Sequence, residues 1–352
     1  MPAKGRRLEM MDYQSLWFFL WAVLWAAYFF LDGFDLGVGI LHPFLARNDL
    51  EKRLVMNSIG PVWDGNKVWL VTAAGVTFAA FPAAFVVIFS AFYFPLLLIL
   101  FGLIIRGIAL EFRNKSESRA WRRGWDLAFF LGSLTPAFLF GVIFGNLFQG
   151  LPLNDQGYQG SAASLCNRYS LMTGLMFVVM LTVHGAHWVA VKTGDDLVGA
   201  RLGRFAPRAW VLLVVTVALF FVNTAFATSL FANYLDNYVL LVLPAGVLLS
   251  LLAMGMEVLK RNYRPAFFAS GAAVVLIVLT GFAGLYPLLV PARPDAIHSL
   301  TIFNSAASAY TLKILTVVAV VFVPLVAAYQ IWVYRIFRGP VTGEDMENKE
   351  AY

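Results

Sequence analysis

Nine stretches of this chain are apolar over lengths that cross a hydrocarbon core, and nothing else in the sequence constrains the fold as strongly. A core about 30 Å thick takes about 20 residues of helix. The stretches lie near 14–41, 60–81, 83–107, 125–148, 169–191, 208–231, 237–257, 266–290 and 311–336. Lipid offers the backbone no hydrogen-bond partner, so each segment must satisfy its own amides as a helix. The expectation is an all-α polytopic membrane protein with nine transmembrane helices. Its single membrane domain covers 1–352: an N-terminal extension over 1–12, transmembrane helices over 13–336 and a cytoplasmic tail over 337–352. At 13% charged residues no soluble domain is visible. The short connections at Phe81–Pro82, Asn233–Asp236 and Asn262–Pro265 make neighbouring helices antiparallel.

The net charge of +6 reads as topology before nucleic-acid binding. Nineteen of the 26 lysines and arginines fall in the odd-numbered connections and the C-terminal tail, among them six between Arg106 and Arg123. Cytoplasmic loops hold the positive excess, so the N-terminus is placed outside and the C-terminus in the cytoplasm. Lys4, Arg6 and Arg7 imitate the start of a signal peptide, but the apolar run after them has no small-residue cleavage site, so a retained first span is expected. Met10 and Met11 serve equally as start residues. The lone Cys166 leaves no internal disulfide, and four histidines are little material for a metal cage.

Two polar knots interrupt this apolar background. LDGFDLGVGI, residues 31–40, carries Asp32 and Asp35 in the cytoplasmic half of the first span, and GPVWDGNKVW, residues 60–69, carries Asp64 and Lys67 where the second begins. The apolar run from Val68 to Phe81 is too short to span alone, so the second knot lies inside the membrane at a depth similar to the first. Each charged pair is three residues apart and projects on about one helix face. Intramembrane charges mark ion paths, substrate sites or buried interfaces. Two readings stand: Asp64 and Lys67 neutralise each other while the aspartates cap backbone loosened by Gly33, Gly37 and Gly39, or the four residues form a proton-conducting cluster open to the cytoplasm. Gly33 and Gly37 also form a small-xxx-small pair, which permits close helix approach.

The third span ends RGIALEFR, where Arg106 either snorkels to the interface or pairs with the aspartates, with Glu111 nearby as a further polar candidate. His184 and His187 in TVHGAHW share one face of the fifth span; packing, hydrogen bonding or proton relay suits them, whereas a haem needs an opposed pair of ligands. No Walker loop, dinucleotide fingerprint or nucleophile with a base is present.

The run LDGFDLGVGIL, then NSIGPVWDGNKVWL, RGIALEFR, FGNLFQGLP and SLTIFNSAASAYTLKI, in that order and spacing, resembles subunit II of cytochrome bd-type quinol oxidases from about Tyr13 to the end of the ninth span. The resemblance implies two four-helix bundles plus one peripheral helix in the bacterial cytoplasmic membrane, paired with a subunit I that binds quinol and the haems, of b and d type. The complex would oxidise quinol and reduce dioxygen to water, taking protons from the cytoplasm. No cofactor is expected in this chain beyond a structural quinone or lipid, and the expected partners are subunit I, small single-helix subunits, lipid and the quinol pool. Proton-pathway residues of the family fall on Asp35 and Asp64. The position of Lys67 is commonly Glu or Gln in the family, and a buried ammonium beside Asp64 would hinder it as a neutral proton carrier, which favours Asp35.

A proton-coupled secondary transporter is the rival reading. It would need an inverted repeat with interrupted helices in both halves, whereas the polar residues here crowd into the first half.

Overall fold

The computed structural model describes residues 2–193 and 199–342. Lys349 and the rest of the tail from residue 343 lie outside the described residues. Among the described residues eight helices are long and apolar enough to cross a membrane. They belong to α1 (Pro2–Leu45), α6 (Tyr93–Phe112), α7 (Arg119–Gln149), α8 (Arg168–Thr193), α9 (Gly199–Ala227), α11 (Val242–Leu259), α12 (Tyr263–Leu285) and α13 (Ala309–Ile336).

The second expected span is broken. After the short helix α2 (Asp49–Asn57) the chain turns through Gly60 and Pro61, forms the single turn α3 (Trp63–Asn66), and restarts as the 13-residue α4 (Val68–Ala80). The third expected span is also divided, into α5 (Pro82–Ala91) and α6. Pro82 supplies the first position of α5 without an amide to waste, and it pushes Phe81 out of helical geometry (φ −133°, ψ 63°). The helix α10 (Ala232–Asp236) turns the chain between α9 and α11.

Helix α1 is the centre of the molecule and packs on α4, α7, α8 and α12. Glycines set how closely its neighbours approach. A Cβ on Gly37 would stand 1.9 Å from the Leu181 carbonyl oxygen of α8, and one on Gly39 would stand 1.9 Å from Ser133 Oγ of α7. Gly33 also faces Leu181, so the small-residue pair read from the sequence is the face that meets α8. The core behind this crossing is aromatic: Phe29 meets Phe140, Phe144 and Phe177 edge to face at 5.1–5.6 Å. By contrast, only 6% of the apolar window of α13 is buried.

At the end of the bundle opposite the arginine-rich one, short strands tie the connections together. β1 (Leu151–Asn154) pairs antiparallel with β2 (Gly157–Tyr158) and parallel with β4 (Ala292–Arg293), while β3 (Leu288–Val290) pairs with β5 (Leu300–Thr301). At the arginine-rich end α2 is capped by Asn48, which accepts from the Glu51 amide at 2.9 Å, while Glu51 accepts from the Arg47 amide at 2.6 Å.

Candidate functional site

Asp32 and Asp35 are one turn apart on α1, and both are completely buried. Arg106 of α6, equally buried, forms an ion pair with Asp32 through Nη2. It therefore does not snorkel. Two charges taken out of water demand each other, because leaving either alone in the interior costs several kcal/mol.

Asp35 is held differently. Asn66, the last residue of α3, donates through Nδ2 to Asp35 Oδ2 at 2.9 Å and to the Leu31 carbonyl at 3.3 Å. Tyr334 of α13 donates its hydroxyl to Asn66 Oδ1 at 2.8 Å. One turn earlier on α13, Gln330 donates to the Gly65 carbonyl at 2.7 Å and accepts from Trp69 Nε1 at 2.7 Å. The break after α3 thus has a purpose in packing: it presents Gly65 and Asn66 to partners that a continuous helix would not offer them. Beside these bonds, Asp32 Oδ2, Asp35 Oδ1, Arg106 Nε and Nη1, and the hydroxyl of Tyr28 are buried without a hydrogen-bond partner among the described residues. Buried polar atoms converging in this way are where bound water settles.

The remaining sequence candidates fall elsewhere. Asp64 is exposed and makes no ion pair among the described residues, so it does not join Asp35 directly. Asp64 and Lys67 make no direct ion pair among the described residues, and the Lys67 ammonium lies 3.9 Å over the Trp63 ring. Glu111 is exposed and unpaired among the described residues. His184 bonds Ser270 Oγ at 2.8 Å and the Phe30 carbonyl at 3.0 Å and stacks on Phe267 at 4.7 Å. His187 is buried with both ring nitrogens unpartnered among the described residues. With His184 engaged on both nitrogens and His187 one turn along the same helix, these residues do not fit a haem.

Sequence reasoning missed Asn66 and Tyr334, since neither is charged and they lie 268 positions apart. It also missed a second network at the arginine-rich end. There Arg113, 1% exposed, bridges Asp126 Oδ1 at 2.6 Å and Asp49 Oδ1 at 2.9 Å. Lys52 reaches Asp126 at 2.7 Å, Arg122 reaches Asp49 at 3.0 Å, and His42 Nε2 lies 3.7 Å from Asp126. An aspartate in the apolar run after Arg122 and Arg123 was the available signal. Glu51 pairs with Arg201 at 2.5 Å; burial alone would push its carboxyl up, but Arg201 and the Arg47 amide hold it below the usual glutamate range.

Comparison with known proteins agrees with this architecture. Residues 13–337 match the family model for cytochrome bd terminal oxidase subunit II. The chain is 34% identical over 339 residues to cytochrome bd ubiquinol oxidase subunit 2 of Bacillus subtilis, covering 96% of this chain and 99% of the relative. It is also 34% identical over 374 residues to cytochrome bd-I ubiquinol oxidase subunit 2 of Escherichia coli K12, covering 96% and 98%. The structure of bd oxidase from Geobacillus thermodenitrificans superposes with a TM-score of 0.75 at 17% identity, over 93% of this chain and 98% of that one. A secondary transporter finds no support among these matches. With the family model matching 13–337 and both relatives aligned along nearly their whole length, the chain belongs to the cytochrome bd terminal oxidase subunit II family.

Proposed function

We propose that the chain is the haem-free second subunit of a membrane quinol:dioxygen oxidoreductase, pairing with a subunit I that carries b- and d-type haems and the quinol site, and that it supplies that subunit with a proton path from the cytoplasm. The relatives' names support the quinol oxidase part. The observation that carries the proton part is the buried group of Asp32, Asp35 and Arg106 with its unpartnered oxygen and nitrogen atoms. Arg106 pairs with Asp32, while Asp35, bonded by the neutral Asn66, is the group free to take and release a proton. Asp64 stands two residues from Asn66 on the exposed side of α3 and serves as the outer collector, with the Lys67 ammonium over the Trp63 ring. Counting the broken α3–α4 segment as a crossing gives nine spans, the N-terminus outside and the arginine-rich end in the cytoplasm of a bacterial inner membrane. The helices α1, α4, α6 and α7 and the helices α8, α9, α11 and α12 then form two bundles, with α13 peripheral, in one membrane domain. Small single-helix subunits belong with the same assembly.

Asp35→Asn tests this, because an asparagine keeps an acceptor for Asn66 and removes only the exchangeable proton. Oxygen consumption by the purified complex is expected to fall on the order of a hundredfold with the haem spectrum intact, the lower end for a positioned proton-transfer group. Unchanged turnover with unchanged haem content refutes the proton role, and loss of haem identifies an assembly role instead.

A further inference from the structure

A cleft of about 660 Å³ separates α13 from the face formed by α1, α8 and α12. Its walls are apolar, with Phe30, Phe34, Phe268 and Ile331 among them, and its arginine-rich end is bordered by Arg264, Arg335 and Arg338. Arg264 lies at the start of α12, Arg335 at the end of α13 and Arg338 two residues beyond that helix, so they converge from two parts of the chain. None has a hydrogen-bond or ion-pair partner among the described residues. Lys192, at the same rim, is already engaged by the carbonyls of Phe337 and Gly339. The cleft therefore combines an aromatic slot at membrane depth with three positive charges at one end that have no partner among the described residues.

We propose that this cleft binds one anionic phospholipid, its acyl chains in the aromatic slot and its phosphate on Arg264, Arg335 and Arg338. Guanidinium groups take phosphate oxygens in paired hydrogen bonds, and basic pockets between transmembrane helices suit anionic head groups. A neutral isoprenoid or a neutral lipid fills the slot equally well but leaves the arginines without an anion. The occupant packs on α13, whose apolar window is 6% buried by this chain alone. It also lies against Gln330 and Tyr334, the residues that hold Gly65 and Asn66. The inference rests on the membrane placement of the helices and not on any proton role for Asp35.

The complex of this chain with subunit I, stripped of loosely held lipid in detergent and then equilibrated with phosphatidylglycerol or phosphatidylcholine, is examined by native mass spectrometry. Wild type is expected to retain one phosphatidylglycerol. Arg264→Gln/Arg335→Gln/Arg338→Gln is expected to hold it about 100-fold more weakly, roughly fivefold per arginine. Arg119→Gln/Arg123→Gln, which removes two exposed arginines of α7 at the same end, should leave retention unchanged. Ala327→Trp, which obstructs the slot and keeps the arginines, should also abolish retention, whereas a site for free phosphate alone would survive it. Size-exclusion profiles and haem spectra identify the variants that assemble, and the triple variant is read alongside the three single ones. Equal retention of phosphatidylcholine, retention undiminished in the assembled arginine variants, or a neutral quinone in place of the phospholipid overturns the proposal.

Discussion

The buried pair of Arg106 and Asp32 gives the sharpest test of the central cluster. Arg106→Met removes the cation paired with Asp32 and leaves two fully buried aspartates one turn apart, of which, among the described residues, Asp35 alone keeps a hydrogen-bond partner, Asn66. Breaking a buried ion pair from one side costs about 3–5 kcal/mol, because the surviving charge loses its compensation. Replacing both partners by apolar groups of similar volume is often neutral. Asp32→Leu/Arg106→Met should therefore be milder than the sum of the two single changes by about 2 kcal/mol or more, within the range of coupling for residues in contact. The four proteins would be compared by denaturant titration of the purified complex, following tryptophan fluorescence and haem absorbance together. If the two single changes add without coupling, or if Arg106→Met costs less than about 1 kcal/mol, Arg106 is not the compensating charge and the account of the cluster fails.

The crossing of α1 and α8 supplies a second prediction. A Cβ on Gly37 would meet the Leu181 carbonyl oxygen at 1.9 Å, so Gly37→Ala must separate the helices and should abolish assembly or cost about 3 kcal/mol, the upper part of the range for overpacking. Gly124→Ala, with nothing within 4 Å of the added carbon and a helical position, should stabilise by about 0.5–1 kcal/mol in the same titration. The Glu51–Arg201 pair supplies a third. Its carboxyl is held below the free-glutamate value of 4.5, so its contribution is present above that pH and is lost as the pH falls through the lower folded-state value. Thermal stability measured from pH 7 to pH 3 should lose part of its acid slope in Glu51→Gln, and an unchanged slope refutes the assignment.

The helices and the depth of the charged groups were legible in the sequence, because membrane thickness sets a length and helix geometry sets a period, and both are local rules. Those rules placed Asp32 and Asp35 together on one face of α1 and the two polar knots at one depth, and Asn66 does join the second knot to the first. The long ordered motifs also carried the family. Which residue meets which was a different matter. The break near Asn66, the turning of Lys67 to Trp63 and the bond from Tyr334 depend on how each helix is rotated and tilted against its neighbours. That rotation is decided by side-chain packing between segments far apart in the chain, such as Gly37 against Leu181 and Gly102 against Pro136. Sequence spacing alone therefore left Arg106 between snorkelling and pairing, and Asp64 between a pair with Lys67 and a cluster with Asp35. Tertiary packing turned Arg106 onto Asp32 and gave Asp35 to Asn66, since a buried charge or carboxyl takes the partner that the crossing helices bring to it.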